Sequence, residues 1–361
     1  MAKRKIGILT SGGDCPGLNA AIRSVALACY RKFGVEDVEL YGITDGFVGL
    51  LEKEYRLMAP SDFHGLLARG GTILGTKRTP HKKLQKIEED GVDKVVKMRN
   101  TYNQLGLDCL LILGGNGTHK TANLLSENRF NVIGLPKTID NDIFGTDVTF
   151  GFHTALEIGT EAIDRIRTTA ESHSRIIVVE IMGNKSGWLA LNTGIASGSN
   201  IILIPEIPFS DDKLVQAVRE RIDAGEPTSV IVVAEGAKDI EESKMKKKEL
   251  ERKRAESGEM TVTGRIVRLV QEKVGIETRS VVPGHMLRGG TPSAYDRLLS
   301  TQFGARAAEL IIAEKYGYTV AKIGNEITEN KLSDMAGKPK LVDAGGSTVN
   351  TARNIGVAFG D

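Results

Sequence analysis

A two-lobed, doubly wound α/β fold is what this chain predicts, and three observations predict it. Strand-length apolar runs alternate with helix-length amphipathic segments. Most runs are apolar throughout rather than alternating, as in parallel strands covered on both faces. The length, 361 residues, exceeds what one hydrophobic core ordinarily serves. The runs fall at 6–9, 38–43, 110–113, 132–135, 175–181, 201–204 and 229–234. Helices are expected at 18–31, 154–172, 214–224 and 294–315. Doubly wound α/β layers follow, with ligands expected at the carboxyl ends of the strands.

The first run ends in Thr10-Ser11-Gly12-Gly13-Asp14-Cys15-Pro16-Gly17, directly before the first helix. Its glycines let backbone N–H groups approach an anion, and the helix N-terminus adds partial positive charge. Leu18-Asn19 stands where a Walker A loop has Lys-Ser/Thr, and Gly-x-Gly-x-x-Gly is absent. A nicotinamide dehydrogenase is thereby excluded; a tight structural turn is the other reading. Leu113-Gly114-Gly115-Asn116-Gly117-Thr118 repeats the design after another apolar run, so the two loops suit adjacent phosphates of one ligand. Arg78, soon after Gly70, Gly71 and Gly75, adds a charged donor.

The run at 132–135 opens onto Pro136-Lys137-Thr138-Ile139-Asp140-Asn141-Asp142. Two carboxylates one residue apart, beside a hydroxyl and a lysine, suit proton abstraction from a hydroxyl next to phosphate. An Asx-rich turn is the alternative. After 175–181 comes Met182-Gly183-Asn184-Lys185-Ser186-Gly187-Trp188, again shaped for close backbone approach. Glu235, after 229–234, is placed to accept from sugar hydroxyls or to pair with a lysine. In Pro283-Gly284-His285-Met286-Leu287-Arg288-Gly289-Gly290, His285 and Arg288 stand three apart, and with Arg279 they form a second anion site. Residues 238–259, dense in Lys and Glu, read as one exposed helix with i,i+4 pairs. The sum is an acidic catalytic loop between two phosphate-binding surfaces. That describes phosphoryl transfer to an acceptor already carrying a phosphate.

With 48 Lys and Arg against 46 Asp and Glu, the formal net charge is +2, which leaves no footprint for nucleic acid or a membrane surface. Cys15, Cys29 and Cys109 are odd in number and lack metal-ligand spacing, as reduced thiols do. No apolar run reaches a membrane span, and 6–9 is too short for a signal peptide. The expected location is the cytoplasm.

The motifs at 11–19, 114–118, 136–142, 182–183 and 284–290 stand in the order and spacing of the phosphofructokinases, over nearly the whole chain. The ending, 352–361, is similar to the branch that mixes ATP- and pyrophosphate-dependent members. The resemblance implies Mg²⁺-dependent transfer of a phosphoryl group to O1 of fructose 6-phosphate, a glycolytic reaction, usually by a homotetramer. ATP is the implied donor; pyrophosphate is the alternative, and a non-catalytic sugar-phosphate sensor is a second. It implies two doubly wound, Rossmann-like α/β lobes with an active-site cleft between them, the donor lobe being residues 1–150, completed by about 290–325. The sugar-phosphate lobe would be 151–289, with a C-terminal extension at 326–361.

Carried over motif by motif, Asp140 is the implied base, Thr138 holds the transferring group, and Asp142 and Asn116 organise Mg²⁺. Gly13, Arg78, Gly115, Asn116, Gly117 and Thr118 cradle the donor. Met182, Gly183, Asn184, Glu235, His285 and Arg288 bind the sugar phosphate, with Thr138 and Asp140 at its reacting end. Arg175 and Arg279 reach in from a neighbouring subunit. Two positions select the donor. Gly117 leaves open the space that Asp crowds in pyrophosphate-using relatives, whereas Lys137 stands where the ATP-only branch usually has Gly. ATP is expected, because removing the obstruction is what lets it fit. Asn116 replaces a usual Asp, and Asn184 and Leu287 replace a usual Arg and Gln. Arg23 and Glu206 match the family's nucleotide effector site, but Leu27 replaces an arginine there, so weak or absent allosteric control is expected.

Overall fold

The structure is a computed structural model that describes residues 3–85, 91 and 93–361. It divides into two compact units: Met1–Thr154 with Arg288–Lys340, and Ala155–Leu287 with Leu341–Asp361. Strands β1 (Arg4–Ser11), β2 (Val38–Ile43), β3 (Tyr55–Met58), β4 (Cys109–Gly114) and β5 (Val132–Pro136) lie in the first unit. The second holds β6 (Ile176–Ile181), β7 (Ile201–Leu203), β8 (Ser229–Ala234) and β9 (Thr278–Val281). The chain then returns to the first for β10 (Tyr318–Ile323) and β11 (Glu326–Lys331).

In the first unit the sheet order is β11-β10-β5-β4-β1-β2-β3, parallel except for the antiparallel edge strands β3 and β11. Ile6, Ile8, Leu9, Leu110, Leu111, Leu113, Val132 and Ile133 are all fully buried. Such runs are stable only between two layers of helix, which accounts for their unbroken apolarity. The register matters most for function. Ser11 stands opposite Gly114, and Gly114 opposite Pro136. The three loops that follow these strands therefore leave from one edge of the sheet.

The second unit has a four-stranded parallel sheet in the order β7-β8-β6-β9. Ala358 bridges Ile201 in parallel, so the last residues extend this sheet beyond β7. Residues 326–340 thus belong to the first unit and 341–361 to the second. The charged stretch at 238–259 departs from the single exposed helix expected. It forms two helices, Ile240–Lys244 and Lys247–Glu256, broken at an extended Met245. The pairs Lys247–Glu251 and Arg252–Glu256 are present at 3.7 and 3.5 Å. The anchor, however, is Arg254 on the buried Glu242 at 2.9 Å, which ties the second helix back to the first. No described helix is long and apolar enough to cross a membrane.

Candidate active site

Two loops on the shared edge of the first sheet present backbone donors. The first, after β1, is held by its neighbours: the Thr76 hydroxyl donates to the Gly12 carbonyl at 2.6 Å, and the Gly12 N–H to Lys77 O at 3.4 Å. Arg78 follows directly and is exposed beside this loop. In the second, Gly115 precedes the helix Asn116–Glu127, so the N–H groups of Asn116, Gly117 and Thr118 form an open helix N-terminus. A Cβ built on Gly117 meets nothing within 4 Å. Thr118 is buried, its hydroxyl 3.4 Å from Ser11 O. His119 fixes the loop from beneath. Its Nδ1–H donates to the Gly115 carbonyl at 3.0 Å, which leaves Nε2 of the neutral ring to accept from the Thr319 hydroxyl at 2.9 Å. Burial pushes this imidazole down to about 4, so it stays neutral.

The third loop, after β5, carries the acids. Lys137 is buried, and its ammonium donates to the Gly13 carbonyl, binding the acid loop to the first donor loop. Burial pulls Lys137 below the usual lysine range, against the charges of Asp140 and Asp14. Thr138 accepts the Asp140 N–H on its hydroxyl at 3.1 Å, and its carbonyl receives the Thr149 hydroxyl at 2.7 Å. Asp140 is 9 % exposed. Asn141 adopts left-handed backbone, φ 51°, and its side-chain oxygen accepts from Thr149 N–H at 3.1 Å. Burial, reinforced by the Asp140 charge, pushes the Asp142 carboxyl up to about 6.

Arg288 belongs to the first unit and lies against the donor loop. Its guanidinium donates to Asp14 O at 3.1 Å, and a Cβ on Gly13 would stand 2.6 Å from it. Any side chain at 13 would therefore displace Arg288. His285, three residues earlier, is exposed and belongs to the second unit.

In the second unit, Glu235 accepts the N–H groups of Gly183 and Asn184 at 3.2 and 2.6 Å. It holds the Met182–Asn184 turn rather than a lysine, and Asn184 sits in left-handed backbone with φ 55°. Arg175 and the exposed Arg279 are brought together by Glu277, at 2.8 and 2.6 Å. Glu206 accepts from Gly187 N–H and Val342 N–H, each at 3.0 Å.

Sequence reasoning missed several of these anchors. Asp296, fully buried, accepts from Gly151 N–H, Thr154 N–H and the Thr154 hydroxyl at 2.9, 2.7 and 2.6 Å, pinning the segment that follows the acid loop. His119, Glu277 and Lys340 were missed as well. Each has at least one partner distant in the chain, Thr319 for His119, Arg175 for Glu277 and the 141–147 turn for Lys340, and none was part of a motif read from the sequence.

Among the described residues no group of three or more His, Cys, Asp or Glu could hold a metal ion. Mg²⁺ does not need one, since it is usually bound by one or two carboxylates together with substrate phosphates. Asp142, strained by its neighbour's charge, fits that demand. The Asn116 amide nitrogen donates to Lys338 O at 3.3 Å, so its oxygen is the atom it would offer a cation.

Residues 5–311 match the family model described as phosphofructokinase. An ATP-dependent 6-phosphofructokinase of Spirochaeta thermophila is 52% identical, over 100% of this chain and 98% of that protein. ATP-dependent 6-phosphofructokinase 3 of Bacteroides thetaiotaomicron is 42% identical, over 99% of this chain and 100% of its own. The solved phosphofructokinase of Saccharomyces cerevisiae matches with a TM-score of 0.76 and 32% identity, over 92% of this chain. This chain spans 45% of the yeast chain.

Proposed function

We infer that this chain, which belongs to the phosphofructokinase family, is an ATP-dependent 6-phosphofructokinase, forming fructose 1,6-bisphosphate from fructose 6-phosphate. The observation that carries the chemistry is the β1-β4-β5 register, which delivers both donor loops and the acid loop to one sheet edge.

Asp140 takes the proton from the sugar 1-hydroxyl as the O1–phosphorus bond forms and the bond to the ADP oxygen breaks. The N–H groups at Gly13 and at Gly115 to Thr118, with Arg78, receive the donor phosphates. Thr138 and Lys137 attend the transferring group, and the placement of Arg288 against Asp14 supports a role there besides the sugar phosphate. Asp142 and Asn116 would hold Mg²⁺, which when bound neutralises charge on the donor phosphates. Met182, Gly183, Asn184, Glu235 and His285 bind fructose 6-phosphate. The Glu235 oxygen that accepts from the backbone fixes the turn, and its partner oxygen serves the sugar.

Arg175 and Arg279 serve the site of a neighbouring copy in a homo-oligomer, a tetramer by the family's habit. Glu277 holds them as a pair at the surface. The cytoplasm suits three buried free thiols.

The donor is ATP, because nothing crowds Gly117. Pyrophosphate is a second reading, favoured by the buried ammonium of Lys137 beside the Gly13 loop. Formation of fructose 1,6-bisphosphate, followed with each donor in turn, separates the two. Turnover with ATP is expected, and turnover with pyrophosphate alone would reverse the assignment.

A further inference from the structure

One short segment, residues 338–340, reaches both the acid loop and the second donor loop. The Lys340 N–H donates to Asp142 O at 2.8 Å, and Pro339 bridges Ile143 in antiparallel fashion. The Lys340 ammonium donates to Asn141 Oδ1 at 2.9 Å, to Thr146 O at 2.9 Å and to Asp147 O at 2.8 Å. Lys338 offers its carbonyl to the Asn116 amide at 3.3 Å and lays its ammonium over the Phe144 ring, 5.5 Å from the centroid.

The turn that Lys340 grips is held from within only by short-range bonds, the Asn141 amide on Asp147 O at 3.4 Å and the Thr146 hydroxyl on Val148 O at 3.0 Å among them. Asn141 has left-handed backbone, a conformation that side chains other than glycine adopt at some cost. It stands between the two carboxylates, so a change in its φ moves both. A lysine ammonium carries three donors that can be aimed independently. Here they meet one side-chain oxygen and two carbonyls from the far side of the same turn. A neutral side chain would take one donor from each of these oxygens in a largely buried place, leaving Asn141 Oδ1 with the Thr149 N–H and Asp147 O with the Asn141 amide at 3.4 Å.

We propose that Lys340 is a positioning residue for phosphoryl transfer: its ammonium locks the 141–147 turn and thereby sets where the Asp140 and Asp142 carboxylates stand, while its neighbour Lys338 ties that turn to Asn116 of the donor loop. The proposal rests on the reading of Asp140 as the base. It gives a function to a segment far from every motif of the reaction. Lys340 touches no reacting atom; it acts through Asn141.

The test uses the full-length enzyme with ATP, fructose 6-phosphate and Mg²⁺, comparing Lys340→Ala, Lys340→Met and Asp140→Asn with wild type. Misplacing catalytic groups by about 1 Å costs up to about 100-fold, so Lys340→Ala is expected to lower kcat by about 10- to 100-fold. KM for both substrates should stay within about threefold of wild type, since the backbone donors and sugar contacts are intact. Propylammonium should restore part of the lost kcat, whereas tetramethylammonium, which has no N–H, should not. A kcat within threefold of wild type would overturn the proposal, as would a fall that propylammonium leaves untouched. If Lys340→Ala fails to fold, Lys340→Met keeps the aliphatic stem and should show the same split between kcat and KM. Failure of both to fold would assign Lys340 to stability alone and also overturn the proposal. Asp140→Asn separates this from the parent reading: full turnover in that variant discards the base, while its loss alongside a normal Lys340→Ala discards only the positioning role.

Discussion

Replacing Gly117 by Asp should abolish most ATP use without weakening the fold. The added Cβ meets nothing within 4 Å, so the side chain is accommodated without displacing a neighbour. The position is in the first turn of the helix Asn116–Glu127, where a carboxylate gains about 0.3 to 1 kcal/mol from the helix dipole. Loss of glycine's backbone freedom adds a little more. The melting temperature should therefore hold or rise. Function should move the other way. A carboxylate within about 4 Å of a donor phosphate repels each unit charge by about 4 kcal/mol at an effective dielectric near 20. Gly117 is exposed, so water screens part of this, leaving about 2 kcal/mol as the lower bound. kcat/KM for ATP should fall between about 30- and 1,000-fold. Pyrophosphate, which has no α-phosphate to be crowded and repelled there, should lose less. The assay is initial-rate formation of fructose 1,6-bisphosphate over a range of each donor, with thermal unfolding on the same samples. ATP turnover within about threefold of wild type, in a folded variant, would refute the reasoning. So would a drop of several degrees in Tm, because it would mean that the space is not open.

Other consequences follow from the buried charges. His119 titrates near 4 in the fold against 6.5 outside it, so the unfolded chain binds more protons between those values and stability rises with pH across them. His119 alone should withdraw about 3 kcal/mol of stability as pH falls from 6.5 to 4, read as the difference between wild type and His119→Gln over that range; equal slopes for the two in chemical-denaturation curves would remove His119 as a cause. The Asp142 carboxyl, raised to about 6 from 3.8, works in the opposite sense: its charged form opposes folding above pH 6, and the penalty fades as pH falls to 3.8. With Mg²⁺ chelated, Asp142→Asn should be more stable than wild type at pH 8 by about 1 to 2 kcal/mol after allowance for its partial exposure, and equal to it below pH 4, while turnover with Mg²⁺ drops. Glu242→Gln strands Arg254 in a mostly buried pair, so unfolding should become easier by about 3 kcal/mol with kcat unaltered; a melting point within 1 °C of wild type would make the pair incidental.

The sheet was legible where strands are buried on both faces. β4 and β5 are apolar end to end, and β1 and β8 along their middles, because helices cover both sides, and their loops are glycine-rich because backbone must approach a ligand. β3 was missed for the converse reason: it is an antiparallel edge strand, with Arg56 and Leu57 exposed between Tyr55 and Met58. β9 and β11 likewise carry charged residues into solvent, so Arg279 reads as a loop residue until pairing with β6 makes it a strand residue. Glu235 was read toward sugars or a lysine; the sequence did not display that one of its oxygens also accepts two backbone N–H groups in a turn 52 residues away. Lys340 and His119 could not be read at all. Their meaning lies in carbonyls of Thr146 and Gly115, and backbone oxygens leave no mark in a sequence.

The acid turn also explains why a chain of nearly balanced charge can handle a polyanion. Asp140 and Asp142 bring two negative charges to a buried place, and Lys137 and Lys340 bring two ammoniums to it. Lys340 is committed to the oxygens of the 141–147 turn and is no counter-ion for the donor, while Lys137, held on the Gly13 carbonyl, attends the transferring group alone. Attraction for phosphate then falls to the backbone N–H groups at Gly13 and Asn116–Thr118, with Arg78 and Arg288 beside them. Backbone dipoles do not titrate, and they need no carboxylate partner. Side-chain ammoniums aimed at the same space would need such partners, and those carboxylates would then repel the donor. The loops carrying glycines 12, 13, 115 and 117 thus do work that a more basic chain would give to lysines, and a net charge of +2 is compatible with that solution.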